Sequence, residues 1–361
     1  MSVDSTPRSD LTASTATAPA DAGAVSSVEP TTPPEPPSTP PPAPPRPVWN
    51  SVVPAAPWCP DEWREHLDAV APGLFASGTA AAAHEATGDI LQAAPWSLLM
   101  ASRRGRLHAH RGDHREDAGH LLPFPGGWCA AVADGAGSAS FSRLGSAIAT
   151  ATVTHALREA LRRKPSLAPA MREAAHAANE AQRTFAARAG IALREFRTTL
   201  LVAARLDDTL AVMQVGDGAM ALLHEDGLVS HPHAAATGDY SGEVAHFLPD
   251  EGALAVLQAS VRTMPAHGVC AVLLASDGVD DPWYPFTRWA RPLVHSLAHG
   301  ANAESERPAS LVPSWPDSVL RAADPVHALT EWLAFEKRGE NDDRTLCLAY
   351  TDALLAAGTA S

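Results

Sequence analysis

The chain has 361 residues, of which 45% are hydrophobic, and it carries a formal net charge of −14 at pH 7. This apolar fraction can fill a core, so most of the chain is predicted to be globular, as one large domain or two modest ones. The acidic balance and the lack of a dense Lys/Arg cluster argue against a nucleic-acid partner, because phosphate backbones are bound by basic side chains.

The start of the chain is rich in Ser, Thr, Ala and Pro and includes the stretch PTTPPEPPSTPPPAPPRP. Such a composition offers too little apolar surface to offset the entropy cost of ordering, so residues 1–57 are predicted to be a disordered tail. Two interpretations stay open for it. It is either a flexible tail or a polyproline II ligand for a proline-binding partner domain.

A helical lead-in is predicted over residues 58–94 and a folded domain over residues 95–355. The predicted strands of the domain are, in chain order, WSLLMAS, GWCAAVA, TTLLVAARL, TLAVMQV, AMALL, EVAHFL, ALAVLQASV, VCAVLLAS and RTLCLAYT. Helical periodicity covers residues 143–163, 168–189 and 319–337. Hairpin-like strands on both sides of a helix pair favour an α+β sandwich over a parallel βαβ fold, in which a helix follows each strand.

The four cysteines stand apart in the sequence, without a CxxC pair, and three of them lie inside apolar runs. This pattern indicates reduced, buried thiols and not a disulfide framework or a cysteine zinc site. The sequence has no run of about 18 apolar residues and no signal-peptide pattern at its start. We therefore expect a cytoplasmic protein that does not engage a membrane.

Acidic residues recur where predicted strands begin or end. Asp117 (in REDAG) precedes a strand, while Asp134 (VADGAGS) and Asp277 (LLASDGVDD) follow strands. Asp342 and Asp343 (NDDRTL) precede the last strand. Each Asp-Gly taken alone is best explained as a turn, for which this dipeptide is typical. Several converging carboxylates, however, need a cation to neutralise them, and a ligand set made of oxygens favours Mg²⁺ or Mn²⁺.

Together, these motifs resemble those of the metal-dependent type 2C Ser/Thr protein phosphatases, in their divergent bacterial branch. The resemblance runs from about residue 105 to residue 351. Its motifs are GRLHAHRGDHREDAGH, VADGAGSASFSRLGS, TTLLVAARLDDTLAVMQVGDGAMALL, LLASDGVDD and WLAFEKRGENDDRTL. It implies an α+β fold with two central antiparallel sheets packed as a sandwich, helices on the outer faces and a binuclear Mg²⁺ or Mn²⁺ centre at one edge.

The resemblance also implies roles for individual residues. Asp134 would bridge the two ions, and Gly135 would bind one of them through its backbone carbonyl. Asp277 and Asp342 would be further ligands, and Asp117 would act through water. Asp342 is preferred to its neighbour Asp343, which aligns with an asparagine of the family motif. A metal-bridging hydroxide would attack the phosphate, so that no nucleophilic Ser or Cys is needed.

The sequence departs from the family pattern at two places. The arginine that often clamps the substrate phosphate is replaced by Gly112, and Arg111 is the candidate for a displaced clamp, with a surface arginine as the alternative. Three further arginines lie near it: Arg103, Arg104 and Arg106. The acid that holds a third metal in many members aligns with Arg194, beside Glu195, so a third ion is not expected.

Two further features have competing interpretations. Four histidines crowd the segment before Asp134, namely His108, His110, His114 and His120. A zinc site is conceivable there, but structural roles are favoured because cysteine partners are missing. Asp217 in VGDGAM is expected to hold a hairpin turn and not a metal.

The sequence thus predicts a cytoplasmic, metal-dependent phosphatase acting on phosphoserine and phosphothreonine, with a phosphorylated protein, such as a Ser/Thr kinase or its target, as partner. The alternative is a catalytically weak pseudophosphatase that binds phosphoproteins or scaffolds a kinase. The missing arginine favours this alternative and the intact acids oppose it. A nucleotide-binding protein is disfavoured, because no Walker or GxGxxG loop follows a predicted strand.

Overall fold

A computed structural model describes residues 51–72, 74, 84–233, 246–300, 308, 311, 315 and 317–356. The strands of these residues are β1 (Ala86–Ala93), β2 (Trp96–Arg103), β3 (Ala118–Phe124), β4 (Gly127–Ala133), β5 (Leu200–Leu206), β6 (Thr209–Val215), β7 (Ala219–His224), β8 (Val229–Ser230), β9 (Arg262–Pro265), β10 (Val269–Ala275) and β11 (Arg344–Thr351). The α-helices are α1 (Arg64–Val70), α2 (Arg106–Arg111), α3 (Ser142–Arg163), α4 (Leu167–Ala189), α5 (Glu251–Ala259), α6 (Asp277–Asp280), α7 (Phe286–His299), α8 (Pro325–Trp332) and α9 (Asp352–Ala356).

The strands form two antiparallel sheets. One has the order β1-β2-β11-β10-β7-β8 and the other the order β3-β4-β5-β6-β9. Alternate side chains of a strand point to opposite faces, so that Leu98 and Met100 of β2 pack against the other sheet while Leu99 and Ala101 pack against helices. The core between the sheets is therefore built from every second residue of the central strands.

Helices cover the outer face of each sheet. Helices α3, α4 and α5 bury their apolar residues against β4, β5 and β6. Helices α7, α8 and α9 do the same on the outer face of β2, β7, β10 and β11. The predicted α+β sandwich with outer helices is confirmed, and it brings the ends of β4, β6 and β10 to one edge.

Several predicted elements differ from the observed ones. The helical lead-in over residues 58–94 is wrong for residues 86–93, which form β1 and pair along their whole length with β2. The run ALAVLQASV is helix α5 and not a strand. Asp250 caps this helix by accepting hydrogen bonds from the backbone of Gly252 (2.8 Å) and Ala253 (3.1 Å), and helical spacing buries Leu254 and Leu257.

Other boundaries shift less. The helix predicted over residues 319–337 is the shorter α8, which begins after Asp324. The strand EVAHFL lies partly outside the described residues, and Leu248 forms a single bridge to Thr198.

The four cysteines are buried and unlinked, as expected. Among the described helices, none has the length and apolarity that a bilayer span requires.

The segment 51–57, placed by composition in the tail, contacts the domain. The backbone N–H of Val52 donates to the carbonyl of Ala109 (2.9 Å), and His114 Nε2 lies 2.8 Å from the carbonyl oxygen of Ala56. The buried guanidinium of Arg104 donates to the Val52 carbonyl (3.0 Å) and to Ser51 Oγ (2.6 Å). These bonds attach residues 51–56 to the helix α2 and to the segments on either side of it.

We therefore expect two truncations to behave differently. Deletion of residues 1–50 should leave the melting temperature nearly unchanged, because that composition cannot join a core. Deletion of residues 1–57 should lower it by at least about 3 °C, since it strips Arg104 of buried partners at a cost of about 1–3 kcal/mol. Differential scanning calorimetry of both proteins checks this, and equal melting temperatures would place the domain boundary after residue 57.

Candidate metal centre

Asp134 stands at the end of β4, a strand whose seven residues are all buried. Its backbone N–H donates to Thr199 Oγ1 (2.9 Å), and its carbonyl accepts from the Thr199 N–H (2.8 Å) and Thr198 Oγ1 (2.7 Å). Three hydrogen bonds to the backbone N–H and carbonyl of one residue hold the acid rigidly at the sheet edge. The sequence gives no sign of this role for the two threonines beyond their place before β5.

The glycine after Asp134 is required by space. A Cβ added to Gly135 would lie 2.8 Å from the Glu116 carbonyl oxygen and 2.8 Å from Cβ of Ser142. The Asp134 corner is thus packed directly against the segment that carries Asp117. A glycine is needed at 278 for a similar reason, because a Cβ added there would clash with the Asp343 carbonyl oxygen.

Ser276, just before Asp277, joins three parts of the site. Its Oγ donates to Asp117 Oδ2 (2.8 Å) and accepts from the Thr345 N–H (2.9 Å). Its own N–H donates to the Thr345 carbonyl (2.9 Å). The ends of β10 and β11 and the Asp117 carboxylate are therefore fixed relative to one another by a serine that sequence reasoning did not single out.

Three acids from three strand ends meet at this edge. Carboxylate oxygens of Asp134, Asp217 and Asp277 lie within 4.8 Å of one another. Asp217 follows β6 at the turn to β7, as expected, and the structure also brings one of its carboxylate oxygens to the other two acids. The signal was present in the sequence, since VGDGAM repeats the strand-Asp-Gly pattern of the other two motifs.

The pKa values of these acids are raised. Burial raises the pKa of Asp134 well above its ordinary value, and the charges of Asp277 and Asp117 add to this. Burial and the charge of Asp342 do the same to the pKa of Asp277. The pKa of Asp117 rises to about 7 through burial and the charge of Asp343. Burial also raises the pKa of Asp217.

Among the described residues, the charges named as shifting the pKa values of Asp134, Asp217 and Asp277 all belong to other acids. The side chain of Asp134 lies within hydrogen-bond distance of the carboxyl groups of Asp117 and Asp277. Two carboxyl groups can form such a bond only when one of them is protonated. One buried oxygen each of Asp117, Asp217 and Asp277 has no donor partner among the described residues. Such an arrangement of carboxylates is stable as anions only with a cation between them.

Asp342 and Asp343 have different surroundings. The Asp343 side chain is 1% exposed, and its two oxygens accept from the backbone N–H groups of Gly105 and Glu116, each at 2.6 Å. Its Oδ1 also lies 3.0 Å from His108 Nδ1. Asp342 is the more exposed of the two, and one of its oxygens accepts from the Asp343 N–H (2.8 Å). Partial burial and the charge of Asp343 raise the pKa of Asp342.

Comparisons with known proteins identify the family and the fold of this chain. A family model described as Protein phosphatase 2C matches residues 104–313, more than half of the chain. The chain belongs to the protein phosphatase 2C family. A search of curated proteins gives no significant match. The resemblance drawn from the motifs is thereby confirmed at the level of the family.

Two solved structures share the fold. The serine-threonine phosphatase 2C from Toxoplasma gondii is 15% identical, with a TM-score of 0.50, over 74% of this chain and 100% of that one. A C. elegans sex determining protein is also 15% identical, with a TM-score of 0.50, over 74% of this chain and 64% of that one. At this identity the likeness shows the fold alone.

Relative to the phosphatase 2C pattern, the arginines near Asp117 serve other purposes. Arg103 lies 2.9 Å from Glu331, and Arg106 lies 2.7 Å from Glu336. Arg104 is buried in an ion pair with Glu85. Arg111 is exposed at the last position of α2. Three of the four candidate arginines are thus committed to acids outside the cluster.

Glu195 and the histidines also have structural partners. Glu195 accepts from the N–H (3.1 Å) and Oγ (2.9 Å) of Ser140, which orders the loop after Asp134. His108 pairs with Asp343, His114 with a backbone carbonyl, and His120 with Thr154 Oγ1. Among the described residues, the groups with metal-ligand spacing are Asp134–Asp217–Asp277 and His108–Asp342–Asp343. A zinc site of four histidines is not formed.

His108 is held as a cation. Burial lowers its pKa, but the hydrogen bond and charge of Asp343, with the charges of Glu116 and Asp342, outweigh this and raise the pKa to about 9. The pKa of Glu116 is also raised, to about 7, because the side chain is buried. In this structure His108 is therefore an ion-pair partner of Asp343, with Nδ1 and Oδ1 3.0 Å apart.

Proposed function

We propose that the chain is a metal-dependent protein phosphatase that hydrolyses phosphoserine and phosphothreonine. The observation that carries the proposal is the meeting of Asp134, Asp217 and Asp277 at one sheet edge, where burial and the charges of other acids in the described part of the chain raise their pKa values. Membership of the phosphatase 2C family supports the reaction class.

The residues present fit two divalent cations. The donors are carboxylates with buried oxygens that have no hydrogen-bond donor, and oxygen ligands favour Mg²⁺ or Mn²⁺. Asp134 would be shared by both ions, with the Gly135 carbonyl, Asp277, Asp342 and Asp217 as further ligands. Asp117, fixed by Ser276, would act through water. When bound, the two ions would lower the pKa of a water and neutralise charge on the phosphate.

Other residues of the chain would hold these acids in position. Thr198 and Thr199 fix the Asp134 peptide, Ser276 fixes Asp117 relative to β10 and β11, and Asp343 fixes the start of α2 and the Glu116 backbone. Two-metal catalysis demands ligands held to within about 0.5 Å. A network of short bonds to backbone groups on strands meets that requirement better than loop side chains alone would.

The direct test is turnover of a phosphothreonine peptide by purified protein, followed as phosphate release. Activity should require added Mn²⁺ or Mg²⁺ and fall to background in excess chelator, because the clustered carboxylates would bind the substrate phosphate only with cations between them. Restoring Mn²⁺ should restore the rate. Full activity in chelator would contradict the binuclear centre.

Asp217→Asn provides a second test, in which the structure and the sequence expectation differ. Because the Asp217 carboxylate faces Asp134 and Asp277, the variant should lose turnover or Mn²⁺ affinity by about 10–100-fold. Asp226→Asn is the matched control: Asp226 is also followed by glycine, but it is exposed and its Oδ1 only accepts from the Leu228 N–H (3.0 Å). Equal, near-wild-type rates in both variants would return Asp217 to the role of a turn residue.

One observation favours the alternative of a catalytically weak phosphoprotein-binding protein. Arg103, Arg104 and Arg106 are paired with acids outside the cluster, so a fixed phosphate clamp is not among their roles. Arg111→Ala separates the two functions. A clamp predicts a raised KM for the phosphopeptide, whereas an unchanged KM in an active enzyme assigns Arg111 to the surface. Phosphopeptide binding without turnover in Mn²⁺ would establish the alternative.

The implied partner is a phosphorylated protein, either a Ser/Thr kinase or its target, in the cytoplasm. The proline-rich stretch lies outside the described residues, and its proline-binding partner stays a prediction.

A further inference from the structure

A cavity of about 470 Å³ lies away from the acid cluster, between the sheet edges formed by β1, β2 and β3 and the helix α3. Protein interiors have few voids larger than a water molecule, and this volume is within the range of small-molecule sites. Its walls come from separate parts of the chain, so it is a feature of the assembled fold and not of one loop.

The polar part of the wall is basic. Arg115, 3% exposed, and the imidazoles of His120 and His155 all line the cavity. The two imidazole rings lie 5.4 Å apart, and Arg158 Nη2 stands 3.4 Å from His155 Nδ1. Burial lowers the pKa of His120 to about 4, and the charges of His155 and Arg158 act in the same direction. Burial also lowers the pKa of His155, so both imidazoles are neutral at pH 7.

The opposite charge is weakly represented in the lining. Asp89 is exposed on the edge strand β1, where its Oδ1 accepts from the Ile90 N–H (2.8 Å). An anionic group deep in the cavity would therefore meet the Arg115 guanidinium and two neutral imidazoles, and not a buried carboxylate. Arginine is well suited to a carboxylate, sulfonate or phosphate because of its planar set of N–H donors.

The rest of the wall is apolar. Met100 of β2, Leu121 and Leu122 of β3 and Ala147 and Ala151 of α3 line it. Such a surface suits an apolar or aromatic body, while the basic side suits a single anionic group. Together these two halves define an amphipathic organic anion as the fitting ligand.

The cavity wall is connected to the acid cluster by hydrogen bonds. Arg115 Nε donates to the carbonyl of Asp117 (3.2 Å). Thr150 Oγ1 donates to the Ser146 carbonyl (2.9 Å), and Ser146 Oγ donates to the Glu116 carbonyl (2.5 Å). A ligand that moves Arg115 or α3 would therefore move the backbone that carries Asp117.

We propose that this cavity binds an organic anion with an apolar body and that its occupation changes turnover at the acid cluster. The second half rests on the proposed phosphatase function, whereas the first half does not. The binding site and the metal centre would then share the start of β3 as a common wall, so that a small metabolite of this class regulates the enzyme.

Binding is tested on the full chain with anilinonaphthalenesulfonate, an aromatic sulfonate whose fluorescence reports its transfer from water. Ala151→Phe places a phenyl ring in the cavity, and Ala187→Phe makes the same change at an exposed position of α4. Wild type and Ala187→Phe should bind the probe saturably, and Ala151→Phe at least tenfold more weakly. Equal affinity in the two variants, or no saturable binding by wild type, would overturn the proposal.

A second variant tests the cavity in case Ala151→Phe does not fold, and the melting curve of Ala151→Phe shows whether it does. His155→Leu keeps the helix and removes one imidazole, and it should weaken the probe at least threefold; unchanged affinity would again overturn the site. In the activity arm, saturating probe should change phosphopeptide turnover at least twofold in wild type and Ala187→Phe. An unchanged rate overturns the coupling alone, whereas absence of turnover in Mn²⁺ overturns the proposed function and leaves the binding result standing.

Discussion

The variant Asp134→Asn should retain its fold and lose more than about 100-fold in turnover, beyond the usual loss for a residue that only supports a ligand. Asparagine preserves the shape of the side chain and leaves the backbone bonds to Thr198 and Thr199 intact. It removes the one charge that both cations would share. Phosphopeptide turnover at several Mn²⁺ concentrations measures the loss.

Stability gives this prediction a second readout. Because the charges of Asp277 and Asp117 raise the pKa of Asp134 in the same direction as its burial, removing the charge should ease repulsion. In chelator, the melting temperature of Asp134→Asn should therefore equal or exceed that of wild type. Added Mn²⁺ should stabilise wild type much more than the variant. A wild-type rate in Asp134→Asn would end the hypothesis, and the exposed Asp226→Asn again serves as the control.

The fold was predictable from sequence because its strands are strongly marked. Runs such as GWCAAVA and VCAVLLAS are buried on both faces, between the opposite sheet and the helices, and so they read as continuous apolar segments. The strand β1 was not predicted because it is an edge strand whose side chains are largely half-buried or exposed. Its pairing with β2 determines its structure. Helix α5 was misjudged because a short apolar run does not distinguish strand from helix.

Part of the site was predictable, because an acid at the end of a buried strand is recognisable from its sequence motif. Asp134 and Asp277 come to one edge as their strand-end motifs implied. The sequence alone did not bring Asp217 to these acids, because a turn explains Asp-Gly equally well and the approach of the three carboxylates depends on the assembled sheets. The linking role of Ser276 depends on contacts with residues 159 and 69 positions away in the chain, which a single sequence does not reveal.

The adjacent pair Asp342 and Asp343 allows the sharpest assignment, since the two residues should fail in different ways. Asp343→Asn replaces one carboxylate oxygen with an N–H donor, which would face a backbone N–H of Gly105 or Glu116. Losing a buried, charged acceptor should lower the free energy of unfolding by about 3 kcal/mol. Urea denaturation in chelator measures this without reference to any activity.

Asp342→Asn should behave in the opposite way. Its side chain can still accept from the Asp343 N–H through Oδ1, and it sheds a charge that raises the pKa of Asp277, so stability in chelator should stay within about 0.5 kcal/mol of wild type. Its turnover should need at least tenfold more Mn²⁺, because a ligand charge is gone. If Asp343→Asn shifted the Mn²⁺ requirement while Asp342→Asn lost stability, the two roles would have to be exchanged. The carboxylate that accepts two backbone N–H bonds would then be the ligand, and the exposed one its support.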